Sequence, residues 1–207
     1  MKRKFKFMLV VVSCFTSMVV NAQSESEVAI AGTPYLDEVY AKGVICYANK
    51  SQVMPVRYNA FRDLIEYQQG STTLVLDPNA TIKKVTVGNF TFMPLPYESN
   101  GKSKYGYFAV LDSGKVSLFV KKKVVFTAFK RGGQLDGSDQ PAEYRKSADT
   151  FYYRIGDGKL QEMGNIKSMI ASLPDKQEEL TRFAKKEKIS PRKEKELIQL
   201  IKFYNSL

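Results

Sequence analysis

The spacing of turn-forming residues between positions 32 and 163 constrains this chain more than any other feature. The runs GVICYA (43–48), VMPVRY (53–58), FRDLIEY (61–67), TTLVL (72–76), IKKVTV (82–87) and FTFMP (90–94) come first. YGYFAVL (105–111), KVSLFVK (115–121), VVFTAFK (124–130), TFYYRI (150–155) and KLQEM (159–163) follow. All but KLQEM are rich in β-branched and aromatic residues. Gly70-Ser71, Asp77-Pro78-Asn79, Gly88-Asn89, Asp112-Ser113-Gly114 and Gly156-Asp157-Gly158 divide them. Strands at such intervals predict antiparallel all-β structure. Parallel pairing needs a crossover of about a dozen residues, and most of these gaps are far shorter, so a meander of hairpins is expected. A curved sheet, a sandwich and a partial barrel all satisfy the pattern. Two polar stretches, YESNGKSK (97–104) and RGGQLDGSDQPAEYRKSA (131–148), read as loops.

The period changes at residue 165. NIKSMIASL (165–173) opens on Asn165, an N-cap type, and Pro174 ends it. DKQEELTRFAKKEKI (175–189) starts with Asp175 and Glu178 at capping-box spacing. SPRKEKELIQLIKFYNSL (190–207) offers Ser190 as N-cap and Pro191 at the first helical position. Leu197, Ile198, Ile201 and Tyr204 or Phe203 then recur at helical spacing. A helical hairpin packed on the sheet is expected, because neither helix can bury its apolar stripe alone. The organisation predicted is therefore a leader (1–22), an antiparallel β domain (23–164) and a helical segment packed on it (165–207).

The leader reading rests on Lys2, Arg3, Lys4 and Lys6, followed by the apolar run Phe7–Val20 and then Val20-Asn21-Ala22. Small side chains at the first and last positions of that triplet suit signal peptidase, so cleavage between Ala22 and Gln23 is expected. The 14-residue apolar run is short against the ~20 residues a membrane crossing needs. Val11-Val12-Ser13-Cys14 loosely resembles a lipoprotein box, but the apolar run continues past Cys14. Export to the periplasm, the outer membrane or the medium is expected, with no transmembrane segment in the mature chain.

Composition removes several chemistries. The chain has no histidine and no tryptophan, and Cys46 is the only cysteine beyond the leader. Ser-His and Cys-His nucleophilic machinery is therefore excluded, as is an ordinary zinc site. No phosphate-binding glycine motif is present, so no cofactor is implied. Cys46, between Ile45 and Tyr47, reads as an inert thiol. The net charge is +11, of which four charges lie in the leader. After export, a basic chain meets envelope lipid, polysaccharide or acidic protein rather than nucleic acid. The densest basic run, VKKKVVFTAFKR with Lys121, Lys122, Lys123, Lys130 and Arg131, is expected to be a hairpin whose lysines are solvated, with Lys121–Lys123 at its turn.

The stretch RYNAFRDLIEY (57–67) raises the sharpest question about chemistry. Asp63 and Glu66, with Asp37 and Glu38 nearby, invite a glycosidase reading. Residues three apart on a strand point to opposite faces, so the pair cannot flank one bond. Asn59-Ala60 reads as a turn or bulge. Phe61, Asp63, Ile65 and Tyr67 then share one face; Arg62, Leu64 and Glu66 share the other. Glu66 is expected beside Arg62, and Asp63 is expected to be hydrogen-bonded to backbone, Lys or Tyr near the turn. A second candidate, calcium at Asp136, Ser138, Asp139 and Glu143, lacks EF-hand spacing and reads better as a flexible loop.

The order RYNAFRDLIEY, GYFAVLDSGKVSLFVKK and then the charged tail ending FYNSL resembles a family of uncharacterised exported bacterial proteins. The resemblance covers residues 35–207. It implies a non-cytoplasmic location and the same β-then-α order, but carries no activity, so Tyr58, Asn59, Asp63 and Glu66 inherit no catalytic role. The reading is a non-enzymatic binding or envelope-associated module using a sheet face. Its candidate surface is Tyr105, Tyr107, Tyr152, Tyr153, Lys121, Lys122 and Lys123. The alternative is a carboxylate-dependent glycan hydrolase.

Overall fold

A computed structural model of the chain describes residues 30–133 and 137–207. Residues 1–29, which include the expected leader with Cys14 and Ala22 and also Gln23, lie outside the described residues, as does Asp136. The chain is mainly β: a curled ten-stranded antiparallel sheet, a half-barrel, is followed by a helical region. Four strands, β1 (Ala41–Tyr47), β2 (Ser51–Asn59), β3 (Leu64–Gln69) and β4 (Thr72–Leu76), meander in one direction. The chain then returns. β5 (Ile82–Val87) pairs with β1, and β6 (Phe90–Ser99), β7 (Lys102–Asp112) and β8 (Val116–Lys121) meander the other way. Bulges after Cys46 and Val110 shift the register and add to the bend.

Local sequence explains most of these turns. Asn100 and Gly101, at φ 52° and 71°, join Ser99 to Lys102. That is the two-residue connection whose twist matches flanking strands. The stretch read as a loop, YESNGKSK, is therefore the tip of the β6–β7 hairpin. Conversely, Phe61, Arg62 and Asp63 leave the strand expected at 61–67: residues 60–63 form the turn between Asn59 and Leu64.

The expected hairpin at Lys121–Lys123 does not form. β8 instead pairs with β11 (Thr150–Ile155), and β12 (Gln161–Glu162) closes that edge. β9 (Val124–Thr127) leaves the sheet to pair with β10 (Glu143–Lys146). Its departure is fixed by Val124, which is buried and donates its N–H to the Ala60 carbonyl.

The main core lies between the sheet and the helices. Val56, Tyr58, Ile65, Phe92, Tyr107, Leu118 and Val120 are fully buried there with Leu197, Leu200 and Ile201. α1 (Ile166–Ser172) is capped by Asn165, whose side chain accepts the Ser168 N–H. α2 (Gln177–Lys186) and α3 (Glu194–Ser206) start later than their capping patterns suggest. Asp175 is taken by the Tyr204 hydroxyl at 2.8 Å, so Lys176, at φ 62°, stands at the α2 N-terminus. Ser190 and Pro191 stay outside α3, and the Ser190 N–H is bonded by Glu196.

The last turn of α3 is tied to the sheet by Asn205. Its Oδ1 accepts the Val116 N–H at 2.9 Å, and its Nδ2 donates to the Val116 carbonyl and to Asp112. Replacing Asn205 with alanine leaves both Val116 backbone groups unmet, with an expected loss of about 2 kcal/mol in denaturant unfolding.

Candidate functional site

The face of β6, β7, β8 and β11 turned away from the helices carries a second apolar cluster. Strand alternation puts Tyr107 and Ala109 in the main core and Phe108 on the opposite face. There Phe108 meets Leu95, Phe119 and Tyr152, with Tyr97 against them. Phe108 packs edge-on to Tyr97 at 5.2 Å and to Tyr152 at 4.9 Å between ring centroids. Among the described residues, none from a helix belongs to this cluster. Cations close over its rings instead: Lys121 over Phe108 at 4.4 Å, Lys104 over Tyr97 at 5.4 Å, and Arg154 over Phe119 at 5.6 Å.

Beside this cluster opens a cleft of about 850 Å³ between the β6–β7 hairpin and the β11–β12 hairpin. Leu95, Pro96, Tyr97, Tyr152 and Leu160 supply apolar walls; Glu98, Arg154, Asp157, Lys159, Gln161 and Glu162 supply polar ones. Arg154 Nε is buried and has no hydrogen-bond partner among the described residues. Burial, and next the Glu162 charge, push the Tyr152 phenol above its usual range. It stays a neutral donor and reaches Glu162 Oε2 at 3.4 Å.

At the end of the same face lies a charged knot. Asp63, at φ 57°, holds its carboxylate under the β7 backbone; Asp tolerates this left-handed conformation better than most residues. Its Oδ1 accepts the Tyr58 hydroxyl at 2.7 Å and the Tyr107 N–H at 3.2 Å, and its Oδ2 meets Lys121 Nζ at 2.7 Å. The expectation that Asp63 is bonded by Lys, Tyr or backbone holds on all three counts. Gly106 makes room for it: a Cβ there would stand 2.6 Å from Lys121 Nζ, 2.7 Å from the Tyr97 ring and 2.8 Å from Asp63 Oδ2.

Glu66 belongs to a different knot. It pairs across the strands with Arg57 at 2.6 Å, not with Arg62, and also accepts from Asn59 and Tyr35. The Arg57 guanidinium lies 3.7 Å from the Tyr35 ring centroid and 4.4 Å from that of Tyr40. Asp63 and Glu66 are thus each held by their own cation, separated by the turn rather than by strand period. Asp37 caps the Val39 N–H, and Glu38 offers Arg57 its backbone carbonyl. Asp139 accepts the Gly132 N–H, and no metal-holding group of acids and cysteine gathers among the described residues.

The seven candidate surface residues do not converge. Tyr152 lines the cleft and Tyr105 is exposed, but Tyr107 is fully buried and its hydroxyl donates to the Leu76 carbonyl. Tyr153 is buried on the helix side and bonded to Gln161 and Ser172. Strand alternation divides Tyr152 from Tyr153, so both cannot serve one surface. Lys121 is paired with Asp63, Lys122 with Asp149 and Glu194, and Lys123 alone of the three is exposed. Sequence reasoning missed Tyr97, Glu98 and Arg154. The Asn100-Gly101 pair was the signal for the first two, since it marks a hairpin rather than a loop.

Fold and site together define a class: a curled antiparallel sheet with a helical tail, bearing an aromatic-lined cleft on the face the helices leave open. No family model, curated protein or solved structure matches the chain. Among the described residues, no helix is long and apolar enough to cross a membrane.

Proposed function

We propose that this chain is an exported, non-enzymatic binding module that takes an envelope carbohydrate in the cleft between the β6–β7 and β11–β12 hairpins. The observation that carries the reading is the wall composition. Flat apolar surface at Tyr97, Tyr152 and Leu160 alternates with hydrogen-bonding side chains, and Arg154 Nε there lacks a partner. A sugar presents the same alternation of C–H faces and hydroxyls. Three acids against two bases in the walls disfavour a strongly anionic lipid headgroup. Export rests on the basic and apolar leader, 1–22, and on the family resemblance.

Titration of the purified protein against neutral and amine-bearing glycans tests the reading. Binding is expected, with Tyr97→Ala and Arg154→Ala each weakening it about tenfold, or ~1.4 kcal/mol. Absence of binding across the panel, or binding indifferent to both changes, counts against it. N-terminal sequencing of the chain from its native envelope is expected to start at Gln23; retention of residues 1–22 counts against export. A second reading, a carboxylate-dependent glycan hydrolase, draws on Glu98, Asp157 and Glu162 lining one cleft. Turnover abolished by Glu98→Gln or Glu162→Gln in the same panel would favour it.

A further inference from the structure

We propose that Asp63 and Lys121 are built to condense into an intramolecular amide, a covalent staple between the β2–β3 turn and the end of β8. This stands independently of the carbohydrate reading. The amine nitrogen already lies 2.7 Å from the carboxylate, across 58 residues of sequence. A contact held by the fold removes the entropic cost of bringing two reactants together, which is worth effective molarities of about 10⁵–10⁸ M in well-oriented pairs.

The surroundings supply what an acyl transfer needs. Attack by Lys121 Nζ on Asp63 Cγ places negative charge on Oδ1, where the Tyr58 hydroxyl and the Tyr107 N–H already donate. Burial, and then the Asp63 charge, hold the Tyr58 phenol well above its usual range, so it stays a proton-bearing donor. Burial also lowers the Lys121 ammonium, against the opposing pull of Asp63, which favours the neutral nucleophile. The ring centroids of Phe108 and Tyr97 lie within 4.8 Å of Nζ and screen the nitrogen, whose side chain is 15% exposed; the Asp63 side chain keeps 24%. Gly106 leaves the space in which nitrogen and carboxylate meet.

The step balances without a co-reactant. The Nζ–Cγ bond forms and the Cγ–Oδ2 bond breaks. Oδ2 departs as water with two of the three ammonium protons, and the third stays on the amide nitrogen. One positive and one negative charge disappear together, and nothing is oxidised or reduced. The product constrains the unfolded chain as a disulfide would, in a molecule whose described residues hold the single cysteine Cys46.

Mass spectrometry of the purified full chain decides the matter. The expected result is an intact mass one water below that calculated for the chain from its determined N-terminus, and after proteolysis a branched peptide joining the segments that contain Asp63 and Lys121. Lys121→Arg and Asp63→Ala should restore the full mass. Tyr58→Phe, which keeps the ring in the core, should slow amide formation about a hundredfold. Folded wild-type protein that keeps its full mass through prolonged incubation at neutral and mildly alkaline pH overturns the proposal. So does a lost water that leaves the two peptides separate, since that is closure of an aspartate side chain onto the next backbone nitrogen.

Discussion

Replacing Glu66 with alanine should lower the unfolding free energy by about 2 kcal/mol, because it leaves the half-buried Arg57 guanidinium against tyrosine rings without its counter-charge. The side chains of Arg57 and Glu66 are only 20% and 10% exposed, so water replaces little of the lost interaction. The same pair anchors the segment before β1. Tyr35 and Tyr40 both lie on Arg57, and Tyr35 and Tyr40 both donate to Glu66. Loss of Glu66 should therefore also raise amide exchange at residues 31–40, where Leu36 and Phe61 share backbone bonds with the strand end and Pro34. Unchanged denaturation midpoint and exchange would show that the knot holds nothing.

Acid should act on the same pair. Burial alone pushes the Glu66 carboxyl up, but hydrogen bonds from Arg57 and Asn59 and the Arg57 charge outweigh it, holding the group below its ordinary 4.5. A carboxyl lowered by folding stabilises the native state above that ordinary value, and the contribution fades as pH falls through the lowered one. Wild-type stability should thus decline below about pH 4.5 more steeply than that of Glu66→Gln, which has no proton to take up there.

Gly43→Ala should cost more, about 3 kcal/mol, at the upper end of what overpacking does. Gly43 sits on β1, between β2 and β5. A Cβ there would fall on Val56 Cγ2 and on the carbonyl oxygen of Thr86. The valine methyl can turn aside. The carbonyl cannot, because it is part of the β1–β5 ladder, and moving it pulls apart the seam joining the two meanders. Gly70→Ala is the contrast. Its φ is +62° but nothing lies within 4 Å of the added atom, so only the left-handed penalty of ~1 kcal/mol remains. Thermal unfolding of the two variants side by side separates steric collision from backbone preference. Equal losses would show that the seam gives way freely.

RYNAFRDLIEY shows where reading from sequence succeeds and where it stops. Period two alone puts Ile65 and Tyr67 on the core face and Glu66 on the opposite one; it does not show that Glu66 is buried there beneath Tyr35, Tyr40 and Arg57. Phe61 and Asp63 break the alternation because four residues, not two, make the turn, and φ 57° at Asp63 redirects its carboxylate toward β7 and β8. The partners of both acids lie on other strands: Arg57 is 9 residues from Glu66, and Lys121 is 58 from Asp63. Lys121-Lys122-Lys123 misled for the same reason. A basic run between two strands is a solvated turn unless distant acids meet it, and here Asp63, Asp149 and Glu194 do.

The sequence by itself determined the antiparallel β class, the helical tail with its buried stripe, and the absence of histidine chemistry. These depend on period, propensity and composition, which are local. Only the tertiary structure decided that β5 returns to β1, that β8 pairs with β11 rather than β9, and that Tyr97, Tyr152 and Arg154 share one cleft. Those outcomes depend on which strands lie side by side once the sheet curls, and side-by-side placement is set by burial of the whole core rather than by any one segment.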